Sequence, residues 1–211
     1  MLRFGKPSDM AVRSLQKGSS AVALHEHAEA NLRFIRETME RATLFTAVPG
    51  WGMVAVGLTA GIAAVLAALQ PTLWRWLVVW IGEAVVALTI GATTMWYKAH
   101  RQDHSLASAA ARRFFFAFVP PLVVGSLLSV VLVGHGAYDL LPGTWLLLYG
   151  TGVTAAGTFS VRVVPLLGLA FLLLGSITLF LPLPLAHWAM AFGFGALHIG
   201  FGLVIARKYG G

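Results

Sequence analysis

The chain has 211 residues, of which 58% are hydrophobic and 11% charged, with a mean hydropathy of +0.79. A soluble domain carries about 25% charged residues, so a surface built for water is excluded and lipid is the expected solvent. The formal charge is +7 and there is no Cys, which excludes disulfides, thiolate metal sites, Fe–S ligation and a Cys nucleophile.

Residues 1–20, "MLRFGKPSDMAVRSLQKGSS", are polar and basic without a clear period, and read as a flexible tail. They lack the apolar core of a cleaved signal peptide. Residues 21–46 predict an amphipathic juxtamembrane helix. Leu24, Ala28, Leu32, Ile35, Met39 and Ala42 form one apolar stripe at helical spacing. On the opposite face Glu29, Arg33, Glu37 and Arg41 alternate in sign four residues apart, which supports the helix. Such a helix lies at a membrane surface, or docks a homo-oligomer or partner protein through residues 24–42.

A transmembrane domain is expected over 47–208. It contains six apolar segments, near 49–69, 73–97, 114–134, 143–161, 163–183 and 187–206. Each has about 19–25 residues, enough to cross a hydrocarbon core of about 30 Å. The expected fold is therefore an all-α membrane protein of six transmembrane helices in three hairpins, preceded by a cytoplasmic amphipathic helix. Val48-Pro49, Val119-Pro120 and Val164-Pro165 open the three hairpins, and Trp74, Trp145 and Trp188 stand near the start of the returning helices. Pro in a first helical turn and Trp at an interface both arise without any repeat, so the repeat signal is weak.

Of the 15 Lys and Arg residues, all except Arg75 fall on one side of this six-span scheme. The positive-inside rule then places both termini in the cytoplasm of a cell whose bilayer holds the chain, such as a bacterium with its inner membrane. The positive charge is a topology signal and an attraction to anionic lipid. No dedicated basic face marks a nucleic-acid partner.

"VVWIGEAVVAL" places Glu83 in the second segment, about 13–14 Å from Trp74 along a helix, close to the bilayer centre. A carboxylate there costs on the order of 2.5–3.5 kcal/mol, so a partner or a use is expected. At the same depth the other returning helices carry Thr154 and His198. Trp76, Trp80, Ala87, Gly91 and Thr94 share the Glu83 face. Small and polar residues likewise flank Thr154 and His198, which marks packed faces. Glu83, His198 and Thr154 are the expected polar core of a substrate or ion pathway, with Trp80 and Tyr149 as lining groups. Thr59, Ser129 and Ser176 fall at mid-depth and extend this layer. The third and fifth segments, rich in Leu and Val, read as mainly lipid-facing. The competing reading is that the polar groups only fix helix register.

Gly57 and Gly61 form a GxxxG, and Gly195 and Gly202 flank His198; all four suit close helix packing. "HEHAE" at 25–29, with His25 and Glu29, and the His100/His104 pair each offer too few ligands for a metal. His135 and His187 lie at the outer surface, which leaves His198 alone at depth and disfavours bis-His haem. No P-loop, GxSxG, HExxH or dinucleotide fingerprint occurs. The expectation is a small, channel-like or transporting membrane protein, proton-linked, with no enzymatic activity, cofactor or metal. The alternative is a non-transporting sensor, scaffold or accessory subunit that docks a partner through its N-terminal helix.

Overall fold

The computed structural model describes residues 31, 32, 34, 35, 44–101 and 107–210. The expected tail over 1–20, most of the amphipathic stripe and His104 lie outside them. The chain divides into two units, 1–43 and 44–211. In the first unit, Asn31, Leu32, Phe34 and Ile35 are helical and exposed.

Among its described residues the second unit has six long helices, α1 Gly50–Ala68, α2 Leu73–Arg101, α3 Ala109–Gly134, α4 Leu141–Gly157, α5 Val163–Thr178 and α6 Leu183–Tyr209, and a single 3₁₀ turn at Tyr138–Leu140. Four of them, α1, α2, α3 and α6, are long and apolar enough to cross a membrane. The segments expected at 143–161 and 163–183 contain shorter helices, of 17 and 16 residues. At 1.5 Å per residue these reach only about 24–26 Å. The cause is local. The chain leaves the helix at Thr158 to pair Ser160 with Phe45, and α5 stops at Thr178, four residues before Pro182.

The helix ends follow from their sequences. Pro49 sits in extended geometry before α1, and its carbonyl accepts the first bond, from Met53 N–H. Ser108 caps α3 by accepting from Ala111 N–H. At its other end Gly136, at φ +73°, turns the chain out. Ala137 N–H then bonds the Leu132 carbonyl and Gly136 N–H the Val133 carbonyl, which is the Schellman pattern. Pro120 and Pro121 lie inside α3 rather than at its start, unlike Pro49 before α1. Phe45 and Phe116, which share a Phe-x-x-Val-Pro pattern, also differ: Phe45 is buried and Phe116 exposed.

Two antiparallel helix pairs form the packed centre, and glycines every seven residues allow both. In the α1–α6 pair, a Cβ on Gly57 would lie 2.7 Å from the Gly195 carbonyl, and one on Gly202 would lie 2.8 Å from the Gly50 carbonyl. In the α4–α5 pair, Gly150 faces the Gly168 carbonyl and Leu172 N, while Gly175 faces Leu147 N. Backbones this close leave no room for a side chain, and a seven-residue period keeps the same seam in contact along both helices. Gly61 differs: nothing lies within 4 Å of a Cβ there.

Helix α5 is thus half core. Leu167, Phe171 and Thr178 are fully buried, while Leu166, Leu169 and Leu173 point outward. The expectation of a mainly lipid-facing fifth segment misses this inner face, because Gly168 and Gly175 dock it on α4. Helix α3 fits the expectation better. Only Ala111, Phe114 and Gly125 are buried along it.

Candidate functional site

Two polar nodes occupy the middle of the bundle. In the first, Thr59 Oγ1 on α1 donates to Glu83 Oε1 on α2 at 2.8 Å. Thr59 lies within hydrogen-bond reach of its own Val56 carbonyl as well. Glu83 is half-buried, and its neighbours Ile81, Gly82, Ala84, Val85 and Val86 are exposed. The acid therefore lies at the border between the α1–α2 seam and an uncovered face of α2. No ion pair joins it to any described Lys, Arg or His.

In the second node, the Tyr149 hydroxyl on α4 lies 2.7 Å from Nε2 of the buried His198 on α6. His198 Nδ1 lies 3.4 Å from the Gly193 carbonyl. The tautomer that satisfies both contacts carries its proton on Nδ1 and accepts the Tyr149 O–H at Nε2. Gly193 belongs to Ala191–Leu197, a π-helical stretch of α6 that ends at His198. Such stretches are rare and gather at functional sites. Phe171 and Phe194 pack on both members of the pair, with ring centroids 4.8 to 6.3 Å away, and Phe118 meets Tyr149 edge-on. Trp80 joins this cluster through Phe194, at 6.0 Å.

The structure thus brings Tyr149, His198 and Trp80 into one aromatic cluster and gives Glu83 a different partner. Glu83 and His198 share neither a hydrogen bond nor an ion pair. Thr154 faces Gly168 on α5, and its buried hydroxyl has no hydrogen-bond partner. Ser129 accepts from Trp145 Nε1 at 2.7 Å, and Ser176 bonds the Leu172 carbonyl on its own helix.

A third polar site was not anticipated as such. Lys98 at the end of α2 is buried, and its ammonium donates to three carbonyls: Val48 at 3.0 Å, Tyr209 at 3.2 Å and Gly210 at 2.6 Å. These satisfy the three protons of the group. The segment held at Val48 continues to Phe45, whose N–H bonds the Phe159 carbonyl at 2.7 Å and whose carbonyl accepts from Ser160 Oγ at 2.7 Å. Phe45 also packs on Phe114 of α3, 4.8 Å away. Residues 45–48 therefore form a strap that ties the ends of α2, α4 and α6 to the start of α3. Lys98 counts only as a loop charge in a topology tally. The overlooked signal is helical phase: Lys98 extends the stripe Ala87, Gly91, Thr94 by one turn.

Among the described residues no group of three or more His, Asp or Glu side chains is placed to hold a metal. No known protein family, no curated protein and no solved structure matches this chain.

Proposed function

We propose that this chain is a six-span membrane protein that moves protons, or a solute coupled to protons, with Glu83 as the group that takes up and releases the proton. The observation that carries this reading is the environment of Glu83: a mid-helix carboxylate with one hydroxyl partner and, among the described residues, no cation. An ionisable group inside a membrane span is costly, and one that no cation neutralises points to a functional role. Exposed aromatics support the depth assigned to it. Trp74 and Trp96 stand near the two ends of α2, and Trp188 and Trp51 near the ends of α6 and α1. The 22 residues from Trp74 to Trp96 span about 33 Å, close to a hydrocarbon core. Glu83 lies between these belts. The strap at the Lys98 end suits a bundle closed on the side that bears most of the basic residues, which the positive-inside rule makes cytoplasmic. In this reading α4 and α5 cross as a close pair despite their shorter helices, and the Tyr149–His198 pair is the second polar station.

The test is proton and cation flux in proteoliposomes, wild type beside Glu83→Gln, over about pH 5–8, where such a group is useful. Wild-type flux that disappears in the folded variant supports the reading; equal flux in both, or none in either, rejects it. A second reading has its own observation. Leu32 and Ile35 are helical and exposed by 67% and 53%. If the chain is instead a scaffold or sensor, Leu32→Asp or Ile35→Asp destroys its function while Glu83→Gln is tolerated.

A further inference from the structure

Glu83 uses one of its two oxygens within the chain. Oε1 accepts from Thr59 Oγ1 at 2.8 Å, whereas Oε2 has no donor among the described residues and stays open to the surroundings. No described cation stands near enough to neutralise the group. Helix α1, the main neighbour of α2, carries no Asp, Glu, Lys, Arg or His. On α2 itself, Arg75 precedes Glu83 by about 12 Å along the axis, and Lys98 follows it by about 22 Å with its protons already on three carbonyls. Helices α4 and α6 reach α2 through Trp76 and Trp80, and the two histidines of α6 are engaged elsewhere, His187 stacked on Trp76 and His198 bonded to Tyr149.

The surface beside the open oxygen is apolar. One helical turn from Glu83 and from Thr59 stand Val86 and Ile62, both exposed. A hard metal ion wants about six oxygen ligands or more, and the acid with one hydroxyl falls far short of that. A cation that carries its own apolar shell needs less: a counter-charge and an apolar surface to lie on. In the reading above this edge of the α1–α2 seam meets hydrocarbon, where an unpaired carboxylate is costly. We propose that Glu83 is the counter-ion for a lipophilic organic cation that reaches it from the lipid side. The inference rests on that reading and names the solute class of the same site. One carboxylate holds either the proton or the cation, so a cation that binds protonated Glu83 releases one proton.

The probe is tetraphenylphosphonium, measured against the full chain in detergent micelles by equilibrium dialysis, with protein-free micelles subtracted. Glu83→Gln keeps the shape of the side chain and removes its charge. Asp139→Asn removes a carboxylate from the exposed 3₁₀ turn. The expected result is saturable binding to wild type, binding at least about tenfold weaker to Glu83→Gln, and unchanged binding to Asp139→Asn. On wild type alone, triphenylphosphine oxide, a neutral molecule of similar build, should not displace the probe. No saturable binding to wild type, equal binding to wild type and Glu83→Gln, an equal loss in Asp139→Asn, or displacement by the neutral molecule overturns the inference. The transport reading fails separately. Glu83-dependent proton flux without binding of the probe overturns this inference and leaves that reading standing, whereas Glu83-dependent binding without flux supports this inference and rejects transport.

Discussion

The Tyr149 hydroxyl meets His198 Nε2 at 2.7 Å, one residue beyond the π-helical stretch of α6. The pair links α4 to α6 across the aromatic cluster of Phe171 and Phe194. Tyr149→Phe leaves the buried His198 nitrogen without its donor, at a cost of roughly 1–3 kcal/mol. Thermal unfolding in detergent should show a lower midpoint for Tyr149→Phe and for His198→Phe. Their double variant should cost less than the sum of the two. Strict additivity would show that the two side chains do not interact.

The Thr59–Glu83 bond makes a separate prediction. Thr59→Val keeps the shape of the α1–α2 seam and removes the hydroxyl that donates to the carboxylate. If Glu83 takes part in the proton step, Thr59→Val should change the rate of flux relative to wild type and its pH profile with it. A pH profile that stays in place would break the link between Thr59 and the proposed proton step.

Lys98→Met should loosen the strap. Three carbonyls lose one shared donor, and roughly 1–3 kcal/mol is at stake for each that stays buried and unpaired. Hydrogen exchange should rise at Phe45, whose N–H is held by Phe159. Unchanged exchange there would mean that Lys98 does not hold the strap.

Glycine substitutions separate packed from open positions. Gly57→Ala and Gly150→Ala force backbone to move, and overpacking of this kind costs roughly 1–3 kcal/mol. Gly61→Ala and Gly82→Ala meet nothing within 4 Å and should unfold like wild type. Equal melting of all four variants would contradict the two glycine seams.

Much of this architecture was legible in the order of residues. Hydropathy and charge deficit identify apolar helices, because lipid leaves the backbone few other ways to satisfy itself. The sequence places Glu83 mid-segment and Thr59 at a matching depth, since depth along a helix is a count of residues. It also marks Gly57, Gly61, Gly195 and Gly202 as candidates for close packing; Gly195 lies opposite Gly57 and Gly61, although a Cβ on Gly61 itself would meet nothing within 4 Å. What depth cannot supply is rotation and neighbourhood. Residues at one level on three helices meet only if those helices are adjacent and turned toward each other. A residue count puts Thr154 level with Glu83 and His198, but Thr154 is turned toward Gly168, because the glycines of α4 and α5 draw those two helices together.

By itself, then, the sequence determined that the chain is helical, apolar and asymmetric in charge, and where along it the polar groups fall. These are properties of composition and of one-dimensional spacing. Only the tertiary structure decided that Glu83 pairs with Thr59, that His198 pairs with Tyr149, and that Lys98 and Trp76 are buried. Each depends on which helix faces meet, and residue spacing along a single helix does not encode that.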